Sequence, residues 1–282
     1  MKPKVIAVVG PTASGKTALA IKLAKEKNGE VISADSRLVY KGFDIASAKP
    51  DMEEREGIPH HLIDIVEPEF GYSAGNYHDD AKKAIYDILS RGKTPIVAGG
   101  TGLYFRILLE NYNLPRVEAN PELRAELDLR EKEDLLEELE RLDKITFERV
   151  KDANKRRIVR ALEVIKVLNR PLSEVELQKE PEFNVEWIMP ELHSREELYE
   201  RINKRVDIMV EKGLIDETKY LLKKHGRIKN FVCTIGYQEI LAYLDGECSL
   251  EEALDKLKQH SRNYAKRQLT WFRKNPALEI SI

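Results

Sequence analysis

Cysteine is nearly absent from the chain. The two present, Cys233 and Cys248, stand far apart with no C-x-x-C and no partnering histidine pattern, so neither a disulfide framework nor a cysteine zinc site is expected. Long hydrophobic runs are also missing, and no stretch approaches the roughly 20 apolar residues of a membrane span. The opening MKPKVIAVVGPT enters a glycine-rich turn before any signal-peptide cleavage site could occur, so the expected setting is a reducing cytoplasm. A strong charge of one sign is lacking too: the formal net charge is only −2, which argues against a protein coated in positive potential. The charges are nevertheless segregated. Residues 256–274 hold seven Lys or Arg and no acid, whereas residues 122–140 hold nine acids against three bases. Segregation of this kind points to one face that meets a polyanion and another that is solvated, with an ordinary solvated face as the alternative for either run alone.

What the chain does contain, in its first hundred residues, is a βαβ rhythm. Strands are expected at 5–9, 30–33, 61–65 and 94–98, with helices at 16–27 and 74–91. This pattern predicts an α/β fold with a mostly parallel sheet flanked by helices, P-loop NTPase-like once GPTASGKT at 10–17 is read with it. Residues 282 in number allow one large domain or two modest ones. From Pro121 to about Gln178 the pattern is helical and charged with no convincing strand, so an all-helical insertion domain is expected over 118–182. The catalytic core is then 1–117 with 183–282, re-entered through a strand at 183–189. Ser194 and Glu197 have capping-box spacing for the helix that follows, and Gly213 is placed to close it.

Ligands in such sheets bind beyond the carboxyl ends of the strands. After the first strand, Gly10, Gly15, Lys16 and Thr17 fill G-x-x-x-x-G-K-[ST], the pattern of a loop whose backbone N–H groups cradle phosphate at a helix N-terminus. Lys16 supplies a point charge and the Thr17 hydroxyl suits Mg²⁺. After the second strand comes Asp35, for which three roles compete: a water-mediated metal contact, a helix cap, or a general base. After the fourth comes GGTGLYFRILL, where Thr101 is placed to donate to a second anionic group. That strand ends VAGG with no carboxylate, which disfavours generic ATP hydrolysis but leaves small-molecule kinases open. His60, His61 and Asp64 in PHHLID lack catalytic zinc spacing and read as loop packing. Near the C-terminus, Arg262, Lys266 and Arg273 fall near one helical face with Gln268 and Trp271 interleaved, and Lys155, Arg156, Arg157 and Arg160 form a second basic cluster. Basic groups for phosphates beside planar or amide groups for bases suit a nucleic-acid partner.

Taken in order, GPTASGKT, ISADSRLVYKGFDIASAKP, PHHLID, GGTGLYFRILL, RRIVRALEV, IGYQE and KRQLTWFR resemble the tRNA dimethylallyltransferases, or tRNA isopentenyltransferases, over nearly the whole chain. The phosphate loop is widely shared, whereas the Asp-Ser stretch ending in Ala-Lys-Pro and the final Lys-Arg-Gln-x-Thr-Trp are far more specific. The resemblance implies transfer of a five-carbon prenyl group from dimethylallyl diphosphate to N6 of the adenosine immediately 3′ of the anticodon, releasing diphosphate. It implies that Gly10, Pro11, Thr12, Ala13, Ser14, Gly15, Lys16 and Thr17 cradle the diphosphate, with Mg²⁺ on Thr17. It makes Asp35 the general base and groups Lys16 and Thr101 with it, Thr101 facing the adenosine or the diphosphate.

The implied tRNA contacts begin with Asp35, Ser36, Arg37, Leu38, Thr101 and Arg124. Arg156, Arg157, Ile158, Val159 and Arg160 form a second group, and Cys233, Thr234, Ile235, Gly236, Tyr237 and Gln238 a third. The last comprises Lys266, Arg267, Gln268, Leu269, Thr270, Trp271, Phe272 and Arg273. The expected partner is the tRNA anticodon stem-loop, with no membrane involved and the chain acting as a monomer. Two departures stand out: Ser36-Arg37-Leu38 replaces the commoner Ser-x-Gln, and Cys233 and Gln238 occupy positions where a basic residue is frequent. A P-loop kinase would explain the loop and Asp35 but not the basic C-terminal helix. An RNA-binding protein with a nucleotide switch would leave the loop and Asp35 incidental.

Overall fold

The computed structural model describes residues 2–112, 115, 117–175, 180–278 and 280. In chain order the elements begin β1 (Lys4–Val9), α1 (Lys16–Glu26), β2 (Gly29–Ala34), β3 (His60–His61), α2 (Ala74–Ser90), β4 (Thr94–Gly99) and α3 (Gly102–Leu109). Four helices follow: α4 (Pro121–Asp128), α5 (Lys132–Leu142), α6 (Lys144–Val150) and α7 (Lys155–Leu168). The chain then forms β5 (Asn184–Ile188), α8 (Arg195–Glu211), α9 (Leu214–His225), α10 (Lys229–Val232), α11 (Tyr237–Leu244) and α12 (Leu250–Phe272). Helix starts follow the capping residues in the sequence. Ser73 Oγ accepts from Asn76 N while the Asn76 side chain accepts from Ser73 N, and Ser194 Oγ accepts from Glu197 N at 3.0 Å.

All five strands are parallel, in the order β3-β2-β4-β1-β5. The continuous apolar runs of β1 and β4 are what a strand covered on both faces requires. Ile6, Val8, Val31 and Ile96 bury one face against Ala20 and Ala24 of α1. A second core joins Val39, Tyr40 and Phe43, just beyond β2, to Val206, Leu214, Leu221, Phe231 and Tyr237 from the later helices. The expected parallel α/β sheet is therefore present, with one correction. The strand expected at 61–65 is only His60–His61, because Leu62 and Asp64 adopt left-handed φ values of 62° and 57° and turn the chain out of the ladder. The Asp64 and Ile65 amides donate instead to the carbonyls of Leu38 and Val39.

The chain forms two compact units, Met1–Glu110 with Pro181–Ile282, and Asn111–Glu180. The second is helical, with Leu127, Leu135, Leu139, Ile158, Leu162 and Ile165 in its core. Its last α-helix among the described residues stops at Leu168, where Asn169 takes a left-handed φ of 50° ahead of Pro171, and a short 3₁₀ turn follows at Leu172–Glu174. The helical pattern expected as far as about Gln178 is met by these elements up to Glu174, and residues 176–179 lie outside the described residues. Within this unit Glu163 is fully buried on α7, accepting from Arg124 Nε at 2.8 Å, Arg160 Nη1 at 2.5 Å and the Asn120 amide at 2.8 Å. Burial alone would push its carboxyl up, but the two guanidiniums and the amide outweigh it and hold it below its ordinary value of 4.5.

Glu163→Ala is expected to lower the unfolding free energy by about 2 kcal/mol, the scale of charge-assisted hydrogen bonds whose arginine partners can rehydrate. Urea denaturation of the full chain measures this. Because the carboxyl is depressed in the folded state, the contribution is present above pH 4.5 and is lost as pH falls through the lowered value; the variant should lack that loss.

Candidate active site

Three strand ends build the site. Beyond β1, Ala13 and Gly15 take left-handed φ values of 62° and 87°, coiling residues 10–17 into the first turn of α1. Lys16 folds back so that Nζ donates to the Pro11 carbonyl at 2.7 Å. Its amine is lowered to about 8, first by burial and then by the nearby Arg205 guanidinium, with Asp35 pulling the other way. Ser14 Oγ in the same loop is buried with no hydrogen-bond partner among the described residues.

Beyond β2, Asp35 Oδ1 accepts from Arg37 N at 2.8 Å in an Asx turn, and the residue borders the cavity. Beyond β4, the Thr101 amide donates to Ala34 O at 3.1 Å and Thr101 Oγ1 accepts from Ser36 N at 3.2 Å. The loops carrying Asp35 and Thr101 are therefore stitched to each other. Tyr264 of α12 borders the same cavity, where burial pushes its phenol up and the nearby Asp35 carboxylate pushes the same way.

These groups surround a cavity of 540 Å³. Thr12, Lys16, Thr17, Asp35, Ser36, Arg37 and Leu38 line one side, Ile202, Arg205, Val206 and Met209 of α8 another, and Cys233, Thr234, Ile235 and Gln238 a third. From α12 come His260, Tyr264, Arg267 and Gln268. Arg205 was not singled out by any motif. Its guanidinium is lowered by burial while Asp35 and Glu54 favour its charge, and it has no hydrogen-bond or ion-pair partner among the described residues. The signal for it was available: Arg205 sits in the Ile202, Val206, Met209 stripe, a cation at the i+3 position of an otherwise apolar helix face.

The loop between β2 and β3 is anchored from behind. Glu217 of α9 accepts from Ile45 N at 2.8 Å and from the Tyr237 hydroxyl at 2.6 Å, which holds Ala46, Ser47 and Ala48 against the cavity. Lys49 is spent on structure, donating to Tyr40 O at 3.0 Å, to Asp44 at 2.6 Å and to Asp64. The PHHLID residues are likewise tied down, His60 to the Ile58 carbonyl at 2.8 Å and His61 to Glu30 at 2.7 Å.

Several residues expected at an RNA surface are placed otherwise. Tyr237 lies in the core beside Phe43 and Phe231, and Leu269 and Phe272 occupy the inward stripe of α12. Ile158 and Val159 are buried in the helical unit. Arg124 and Arg160 pair with Glu163, and Arg262 donates to Asn203 at 2.7 Å, but all three stay partly exposed. Gln268, expected to face a base, is buried and bonded to protein on both sides. Arg156, Arg157, Lys266, Arg267, Thr270 and Arg273 remain exposed, while Trp271 is half-buried beside Gly102, where a Cβ would meet the indole at 2.1 Å.

Residues 38–275 match the IPP transferase family. The chain is 46% identical to the tRNA dimethylallyltransferase of Thermomicrobium roseum over 98% of its own length and 85% of that protein. Among solved structures, the full-length tRNA isopentenylpyrophosphate transferase from Bacillus halodurans is 43% identical with a TM-score of 0.72, over 98% of this chain and 88% of that one. A eukaryotic dimethylallyltransferase acting on tRNA superposes with a TM-score of 0.79 at 30% identity, over 96% of this chain and 70% of that one. With the resemblance in the sequence motifs, the shared parallel sheet and this near-complete coverage in agreement, the chain belongs to the IPP transferase family.

Proposed function

We infer that this chain, a tRNA dimethylallyltransferase, holds the diphosphate of dimethylallyl diphosphate in loop 10–17 and transfers the prenyl group to N6 of the adenosine immediately 3′ of the anticodon. The observation that carries this reading is the convergence of Lys16, Arg205 and Asp35 on one cavity. An adenine N6 amine is a poor nucleophile because its lone pair is delocalised into the ring, so a positioned carboxylate that takes its proton is useful. In the transfer step the N6–C1 bond forms, the C1–O bond breaks with its electron pair leaving on the diphosphate, and the N6 proton passes to Asp35. Lys16, Arg205 and the loop amides stabilise the charge that develops on the leaving group. Thr101, bonded to Ser36 and to the Ala34 carbonyl, keeps the Asp35 loop in place beside the adenosine.

The residues present fit a Mg²⁺ ion shared with the substrate. Thr17 borders the cavity at the start of α1, and among the described residues no group of three His, Cys, Asp or Glu offers a separate metal site. Thr17 would hold the ion from the protein side, and when bound it supplies further neutralisation of diphosphate charge. For the RNA, extrusion of the adenosine costs a few kcal/mol. Phosphate contacts from the exposed Lys266, Arg267 and Arg273 of α12 and from Arg156 and Arg157 of the helical unit offset that cost. A monomer acting in the cytoplasm on the anticodon stem-loop completes the reading.

The test is transfer of label from dimethylallyl diphosphate to unmodified tRNA in the presence of Mg²⁺. Incorporation is expected, and phosphate transfer from ATP without prenyl incorporation would overturn the reading. Asp35→Asn should lower kcat roughly 10²-fold or more, the scale of general-base catalysis, while tRNA affinity is kept. Near-normal turnover removes Asp35 from the base role. Lys266→Glu and Arg267→Glu should each weaken tRNA binding and reduce the slope of log K against log salt by about one. A slope that does not move assigns the RNA to another surface.

A further inference from the structure

One side chain from the C-terminal helix joins the phosphate loop to the turn after β4. Gln268 is only 5% exposed, and its Oε1 accepts the Thr12 N–H at 2.8 Å while its Nε2 donates to Gly100 O at 3.0 Å. These bonds bridge sequence separations of 256 and 168 residues, so no local element can make them. Space for the carboxamide depends on Gly100, where a Cβ would fall 2.0 Å from Nε2. Thr12 belongs to the loop that holds the leaving group. Gly100 precedes Thr101, whose hydroxyl accepts from Ser36 beside Asp35. The carboxamide is thus a two-point splint between the donor side of the cavity and the side that carries the base.

We propose that Gln268 is a positioning residue for transfer, fixing the spacing between the diphosphate loop and Asp35 instead of reading a base or binding the diphosphate itself. The inference rests on the donor-loop reading given above. Displacement at the allylic carbon needs N6 and C1 held about 3–3.5 Å apart and aligned, and a misplacement of about 1 Å is worth roughly 10² in rate. Two hydrogen bonds from one planar, buried group fix both a distance and an orientation, which a single bond cannot. Removing them leaves the Thr12 N–H free to donate to a phosphate oxygen, so donor affinity should survive while alignment does not.

The experiment uses Gln268→Met, which keeps the buried volume but neither donates nor accepts. Calorimetry with pyrophosphate and Mg²⁺ gives both Kd and the number of competent sites, and single-turnover transfer to an unmodified tRNA gives a rate per competent site. The expected result is a pyrophosphate Kd within about threefold of wild type and a transfer rate per site lower by about 10². A merely structural role would reduce the number of sites and leave the rate per site unchanged. Gly100→Ala, which pushes the carboxamide away without altering it, should show the same split and carries the test if Gln268→Met does not fold. An unchanged rate per site overturns the proposal, as does a rise in Kd that matches the loss in kcat/KM. If the wild-type chain takes up no pyrophosphate, the donor-loop reading falls and this inference falls with it.

Discussion

Parallel pairing on both sides of β4 is the constraint from which the site follows. In the ladder Gly99 stands opposite Val9 on one side and Ala34 on the other, so β1, β4 and β2 end at the same level. The chain leaves all three strands along one edge, and the loops beginning at Gly10, Asp35 and Gly100 have nowhere to go except into one another's company. The Thr101 amide on the Ala34 carbonyl is the first link this proximity permits. Phosphate loop and carboxylate come together because strands whose paired residues lie 65 and 90 positions apart in sequence share a register, and no local propensity had to bring them there.

The later helices finish what the sheet begins. α8 contributes the cation Arg205, α9 steadies the Ile45 and Ala46 backbone through Glu217, and α12 closes the far side with Tyr264 and Gln268. Burial pushes Glu217 up despite its three hydrogen-bond partners, a sign of how dry the anchor is. Division of labour inside α12 follows its periodicity. Ala265, Gln268, Leu269 and Phe272 fall at the i, i+3, i+4, i+7 spacing of an inward stripe, while Lys266, Arg267, Thr270 and Arg273 take the outer face.

Much of this was legible in the residues. The filled phosphate-loop pattern, the apolar runs and the Ser, Asn and Asp caps each act through neighbours close in sequence, so they can be read one segment at a time. Legibility failed where a partner is distant. Arg160 looks like a member of a basic cluster, and Arg124 like a contact the resemblance implies, until Glu163 appears beneath both, with Arg124 reaching it across 39 residues. Gln268 looked like a base-reading amide because its neighbours are basic and aromatic, yet the helical period turns it inward to backbone atoms. The short β3 failed for another reason: HLIDI is a short run rich in Leu and Ile of the kind that reads as a strand, and the left-handed turns at Leu62 and Asp64 divert it.

The pairing of Lys16 with Arg205 has a consequence for the molecule as a whole. Two cations face one cavity, each partly withdrawn from water, and the Arg205 guanidinium makes the Lys16 amine harder to keep charged. Such an arrangement gives up folded-state stability for the sake of the site, a compromise common where binding groups are prepared in advance. An anion seated between them reverses the sign of that interaction, so heat resistance and substrate supply become linked quantities. The polar end of the donor, not its hydrocarbon end, would act as the chain's stabilising ligand, and the diphosphate left after transfer would share that effect until it departs.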